Sequence, residues 1–281
     1  MRLAAKSPRF ALQVFDGERP KTLPVRKERY AADPFGELGA AAKVKGLKQR
    51  FADRVLVMTT EKCFVNCRHC TRQGIFGKSR IVETDADLER CIGYVKAHPE
   101  VRDVLLSGGD ILTLPDAKVM KFVKTFAALE QVEVVRVCTR AVCANPLRVT
   151  ARLARALGRT RKVWVNTQFN CADELTAEAR EAAARLVEAG VPVSCQTVLL
   201  KGVNDSAEEM LRLFRALTAA RIRPYYVFMC DPIPGIDRFR VSLSKARAIE
   251  RKCAESIGGL ALPRFVMDLP RAKRKVPICE R

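Results

Sequence analysis

Histidine is almost missing from this chain of 281 residues, with 2 in all, and aromatic residues make up only 6%. Few aromatics leave few flat faces on which exposed bases could stack, which disfavours single-stranded nucleic acid as the main ligand. No run of eighteen apolar residues occurs, so nothing reads as a membrane-spanning helix. The opening Met1-Arg-Leu-Ala-Ala-Lys-Ser-Pro-Arg9 has no apolar segment long enough for a signal peptide. The expectation is a soluble cytoplasmic protein without a membrane partner. Acidic residues are also in deficit, at 31 against 51 Lys and Arg, a formal charge of +20. Such a balance favours phosphate-rich or acidic partners. The basic residues are nevertheless spread along the chain, with local density only at 271–275. Nucleic acid therefore stays open as a partner without being favoured, and a generally basic, solvated surface explains the charge as well.

Cysteine, by contrast, is plentiful. Eleven cysteines in a chain with no export signal point to reduced thiols and metal rather than disulfides. Only the first three are tightly grouped, as Cys63-Phe-Val-Asn-Cys67-Arg-His-Cys70. Thiolate is the ligand of iron-sulfur clusters, and three at this spacing can hold three irons of a [4Fe-4S] cluster while the fourth iron stays open for chemistry. The alternatives are a zinc site, which wants a fourth Cys or His nearby, or three incidental thiols. His69 lies between two of the cysteines and is poorly placed to serve the same ion as both.

Residues 1–52 mix Pro, charge and short apolar pieces, and read as an arm packed on a main domain of residues 53–281. From Arg54 onward, apolar strand-like runs alternate with helical periodicity. Strands are expected near 54–59, 103–106, 132–138, 162–166, 192–199 and 224–228. Helices are expected near 85–97, 116–129, 149–157, 175–188, 206–220 and 243–256. Six strand-helix repeats imply a parallel sheet. A closed barrel would need two more units, so the count favours an α/β fold with an open partial (β/α)6 barrel. Ligands of such sheets sit at the carboxyl ends of the strands. The cysteine loop, Ser107 to Asp110, Thr139-Arg140, Asn166 to Asn170 and Cys230-Asp231 all follow strands.

Several of these stretches together resemble the radical S-adenosylmethionine enzymes and, within them, the lysine 2,3-aminomutase family. They are Asp53-Arg-Val-Leu, Cys67-Arg-His-Cys-Thr-Arg72, Ser107-Gly-Gly-Asp110, Asn166-Thr-Gln-Phe-Asn170, the run from Gln196 to Asp205, Arg223-Pro-Tyr-Tyr226 and Phe265-Val-Met-Asp268. The resemblance runs from about Asp33 to Pro277. It implies that Cys63, Cys67 and Cys70 hold the cluster, and that Gly108, Gly109 and Asp110 take the methionine amino group. Arg140, Gln168 and Gln196 are further cofactor-binding candidates. At position 168 the family usually has His; Gln keeps the hydrogen bonding and loses the titratable proton.

The resemblance also implies pyridoxal 5'-phosphate. Lys275 matches the lysine that carries it, and Arg50 and Arg54 match arginines near it. The glycine-rich run that precedes this lysine in the family is replaced by Arg271-Ala-Lys-Arg274, whose bulk crowds a backbone cradle, and Lys273 is an alternative to Lys275. Arg72 matches the arginine that pairs with the substrate carboxylate, while Asp231 and Asp268 match two aspartates that hold the distal ammonium of lysine. The expected activity is therefore a 2,3-aminomutase, an isomerase, acting on L-lysine or a related basic amino acid such as arginine or ornithine. A flavodoxin or ferredoxin is the expected electron donor. The chain ends six residues past Lys275, so any assembly is expected to differ from that of longer relatives. Two rivals stand beside this reading: a radical enzyme without pyridoxal phosphate acting on arginine, RNA or protein, and a basic nucleic-acid module with a structural metal.

Overall fold

β-Branched runs set the strands and Ser or Thr starts most of the helices between them. The computed structural model describes residues 2–15, 33–39, 41–78, 81–270 and 272–279. Its repeats begin with β3 (Arg54–Thr60) and α3 (Asp85–Lys96), then β4 (Asp103–Gly108) and α4 (Asp116–Ala127). They continue through β5 (Val134–Cys138), the short α5 (Ala141–Ala144) and α6 (Ala151–Arg159), then β6 (Val163–Gln168) and α7 (Ala177–Glu188). The last two are β7 (Val193–Leu199) with α8 (Ala207–Ala219), and β8 (Arg223–Met229) with α9 (Leu243–Ser256). In α3, α6, α7, α8 and α9 the hydroxyl of Thr84, Thr150, Thr176, Ser206 or Ser242 accepts a hydrogen bond from an amide of the first turn. That satisfies a donor the helix itself cannot.

All six expected strands and six helices are present, and the sheet is larger than expected. Ten strands lie side by side in chain order. Strands β3 to β8 are parallel, and β9 (Arg264–Met267) adds a seventh to that set. The hairpin of β1 (Ala42–Val44) and β2 (Leu47–Phe51) pairs antiparallel with β3, and β10 (Val276–Pro277) pairs antiparallel with β9. Among the described residues β1 and β10 do not pair, so the sheet is an open partial barrel. Residues 42–51, expected within the arm, are thus an edge of the sheet. The arm's other described part is a pair of short helices, α1 (Arg2–Lys6) and α2 (Pro8–Val14), while residues 16–32 lie outside the described residues.

The two faces of the sheet differ because side chains alternate along a strand. Val57, Leu106, Val137, Val165 and Val193 stand in one row across five strands and are buried under the helices with Phe126 and Phe214. On the other face Arg136, Cys138, Asn166, Gln168 and Gln196 line a cavity. Parallel strands bring their carboxyl ends to one rim of that cavity, and the loops after β3, β4, β5, β6 and β8 meet there.

Two turns on the opposite side hold non-glycine residues in the left-handed region, Arg161 at φ 64° and Arg221 at φ 58°. A side chain there strains the backbone by about 1 kcal/mol. Arg161→Gly is therefore expected to stabilise the protein by about that amount in chemical unfolding; a destabilised variant would show that the Arg161 side chain matters more than its backbone.

Candidate active site

The loop after β3 carries Cys63, Cys67 and Cys70, and all three border one cavity of about 380 Å³. Burial, then the charges of Cys70, Asp110 and Cys67, pushes the Cys63 thiol up to about 12. Burial raises Cys70 as well, against an opposing hydrogen bond from the Arg72 amide. Burial and neighbouring negative charge disfavour ionisation of Cys63 and Cys70, so a bound cation is what would hold them as thiolates. Among the described residues no three His, Cys, Asp or Glu side chains converge on the point a single ion would need. His69 is no fourth ligand: its Nε2 accepts from Gln168 Nε2 at 3.0 Å and faces Asn170 Nδ2 at 3.4 Å. Burial and the charge of Arg140 push its pKa down to about 3, so the ring is neutral.

The glycines after β4 serve this loop. Gly109 donates its amide to Thr60 O at 2.6 Å, and Asp110 donates its amide to Lys62 O at 2.8 Å. A Cβ on Gly108 would lie 2.4 Å from Thr60 O, and one on Gly109 would lie 2.3 Å from Lys62 O. Only glycine lets the two chain segments meet. The Asp110 carboxylate turns inward and accepts from Thr139 Oγ1 at 2.7 Å, the Arg140 amide at 2.8 Å and the Leu112 amide at 3.0 Å. It thereby braces the end of β4 against the end of β5. Gln196 stands beside Gln168 on neighbouring strands, and its Oε1 accepts from Tyr225 Oη at 3.3 Å. Arg140 also faces inward, toward Cys67, Gln13 and Glu174.

The remaining candidates also border the cavity. Asp268 receives Arg50 on both oxygens, at 3.2 and 3.1 Å, and also the ammonium of Lys275. Lys275 Nζ lies 5.1 Å from the centre of the Phe51 ring and 5.3 Å from that of Phe228. Burial lowers its pKa, and the charge of Asp268 only partly restores it. Asp231 borders the same space. Burial, then repulsion from Asp268, raises its carboxyl to about 7 against the pull of Lys275 and Arg50. Arg54 pairs with Asp53 at 2.7 Å and sits at the mouth. The guanidinium fork of Arg72 is taken by Glu37, with two bonds of 2.8 Å, and its Nη1 reaches Gly108 O at 3.3 Å. Burial acts to raise the Glu37 pKa, but the charge and bonds of Arg72 outweigh it and hold it low. Lys273 is exposed, and Arg271 lies outside the described residues.

Sequence reasoning missed Glu37, Lys48, Arg136 and Tyr225, all of which border the cavity. Arg136 was detectable: a charged residue inside Val134-Val-Arg-Val-Cys138 must face away from an apolar core, and it pairs with Asp103. Glu37 stands in a turn with no motif around it, so no local pattern marks it.

A sequence profile of the radical SAM superfamily matches residues 57–214. An L-lysine 2,3-aminomutase of Acetoanaerobium sticklandii is 37% identical over 96% of this chain and 67% of its own length. This chain belongs to the lysine 2,3-aminomutase family of radical SAM proteins. The L-lysine 2,3-aminomutase of Fusobacterium nucleatum is 40% identical over 88% of this chain and 58% of its own. A glutamate 2,3-aminomutase of Clostridioides difficile is 31% identical over 92% of this chain and 61% of its own. The chain spans 56% to 70% of the length of the L-lysine 2,3-aminomutases and presumptive ones it matches. In fold it is similar to a radical SAM methyltransferase of Sphaerobacter thermophilus, with a TM-score of 0.56, 20% identity, and 78% and 68% of the two chains covered.

The residues present fit the cofactors that membership implies. Three cysteines of one loop at the cavity suit a [4Fe-4S] cluster with one open iron, the place at which S-adenosylmethionine binds. A half-buried lysine amine among aromatic faces, with Arg50 and Arg54 bordering the same cavity, suits pyridoxal phosphate. Lys273 and Arg274, which stand where the family has its glycine-rich run, are exposed and do not line the cavity. Gly109→Ala forces the β4 end off the cysteine loop, so the variant reconstituted with iron and sulfide is expected to keep less than half of the native iron. Full iron content and an unchanged cluster spectrum would show that this close approach does not shape the site.

Proposed function

We propose that this protein is a 2,3-aminomutase that moves the α-amino group of L-lysine, or a related basic amino acid, to Cβ. The observation that carries the reading is Asp231: a carboxylate in the wall of the cavity that the cluster cysteines also border, whose raised pKa marks it as short of a positive partner. The distal ammonium of lysine supplies that charge. The distal carboxylate of glutamate would add a third negative group beside Asp231 and Asp268, so the pocket rejects it.

Bound S-adenosylmethionine and the cluster supply a carbon radical strong enough to remove an unactivated hydrogen, and pyridoxal phosphate supplies a carbonyl to carry the migrating nitrogen. The protein's own groups bind and orient. Lys275 keeps its amine beside Asp268, whose Oδ2 accepts its proton, and burial favours the uncharged nucleophilic form. Arg50 holds Asp268 in place and presents charge at the mouth of the site, together with Arg54. Arg72 is the cation for the substrate carboxylate, which has to share or displace Glu37. Rings of Phe51, Phe228 and Tyr226 wall the cavity and exclude water. The one-electron reductant is a flavodoxin- or ferredoxin-like donor.

A second reading has one observation in its favour. The Arg72 fork already holds a carboxylate, that of Glu37. In that reading the radical core acts on another substrate, and S-adenosylmethionine is cleaved without need of pyridoxal phosphate.

The experiment follows from the sign of the Asp231 shift. Below pH 7 this carboxyl is protonated and gives the ammonium no counter-charge; above pH 7 it is ionised. KM for lysine is expected to fall by up to about tenfold per pH unit as pH rises toward 7, then to level off. Asp231→Asn is expected to flatten that profile and raise KM by about 10- to 100-fold, while cleavage of S-adenosylmethionine in the absence of lysine is unchanged. Equal losses in lysine use and in cleavage would remove Asp231 from the substrate pocket.

A further inference from the structure

Arg140, just after β5, and Glu174, just after β6, form a buried ion pair against the cluster loop, with side chains 7% and 0% exposed. Replacing such a pair by apolar side chains is often neutral or stabilising, so stability alone does not account for it. The pair points at a sulfur. Arg140 Nη1 donates to Cys67 Sγ at 2.8 Å. Its Nη2 donates to Glu174 Oε2 at 2.9 Å and to Gln13 Oε1 at 2.6 Å. Glu174 is fixed in turn by Gln13 Nε2 at 2.9 Å and by the amides of Asn170 and Cys171 at 3.0 and 3.1 Å. Phe10 of α2 covers the guanidinium at 5.5 Å. The same helix grips the cysteine loop directly, since Gln13 O accepts from the Arg68 amide at 2.8 Å.

We propose that Arg140, held by Glu174 and by Gln13 of the N-terminal helix, is a positioning residue for the iron-sulfur cluster that acts through Cys67. Its N–H on the sulfur stabilises the reduced cluster and raises the reduction potential. This rests on the reading of Cys63, Cys67 and Cys70 as cluster ligands. On reduction one electron enters the cluster and no bond forms or breaks. Negative charge on the thiolate sulfurs grows, and a charged donor already in place favours that state. A guanidinium committed on two sides to Gln13 and Glu174 cannot swing out to another ligand. Arg140 therefore serves the thiolate in place of the role toward S-adenosylmethionine that the family resemblance implies.

The test uses the full chain reconstituted anaerobically with iron and sulfide, without substrate. Iron per chain is measured first, then the midpoint of stepwise reduction by dithionite, followed by the electron paramagnetic resonance of the reduced cluster. The variant Arg140→Met/Glu174→Met removes both charges and leaves neither unpaired. It is expected to keep about four irons per chain and to lower the equilibrium constant for one-electron reduction about tenfold, or 59 mV. Arg140→Lys keeps the charge but loses the planar fork, and is expected to fall between native and double variant. A native midpoint in both variants, or in Arg140→Lys alone if the double variant takes up no iron, would overturn the proposal. A native protein that assembles no cluster would instead overturn the ligand reading on which it rests.

Discussion

Charge buried at one rim has to be matched in place, and this requirement organises the site. Seven parallel strands deliver polar and ionised side chains to the carboxyl ends of the sheet, while the helices shut the other face with Val, Leu and Phe. Five of the cations that line the cavity have a carboxylate: Arg136 has Asp103, Arg140 has Glu174, Arg72 has Glu37, and Arg50 and Lys275 share Asp268. An isolated charge there would lose its water and gain nothing in return. Asp231 is the group whose shifted pKa records incomplete compensation. In the proposed function that carboxylate receives the cation of the substrate.

The parts that were legible in sequence are those whose signal is local. The six repeats could be read because runs such as Val55-Leu-Val-Met58 and Val163-Trp-Val165 can only be buried strands, and because the helices between them keep one apolar face. The cysteine loop could be read because its spacing is a local constraint on three ligands to one cube. The short β9 and β10 were missed, and so was β2, whose Leu47-Lys-Gln-Arg-Phe51 looks like a charged turn until its neighbour is known. Partners were least legible. Glu37 meets Arg72 across 35 positions, and Gln13 meets Glu174 across 161. No pattern within either segment announces the other.

Departures from the family motifs acquire a physical meaning once their neighbours are known. Gln168 takes the place of a histidine, and its amide faces His69, which is left neutral and turned from the cysteines. Lys273 and Arg274 replace backbone with charge next to Lys275, yet Lys275 itself stays pointed into the cavity and paired with Asp268. The Gly108-Gly109 turn, which the resemblance matches to the methionine amino group, also lets the base of the cysteine loop approach.

In the proposed reaction nitrogen migrates within a basic amino acid held between Asp231 and the cluster. The most direct measurement is the position of label in the product when L-lysine carrying ¹⁵N on its α-amino group is incubated anaerobically with the protein. The mixture holds iron, sulfide, pyridoxal phosphate, S-adenosylmethionine and dithionite. The expected product is β-lysine with the label on Cβ and none on the distal nitrogen. Release of 5'-deoxyadenosine with lysine recovered unchanged would contradict it, leaving a radical core whose substrate is something else.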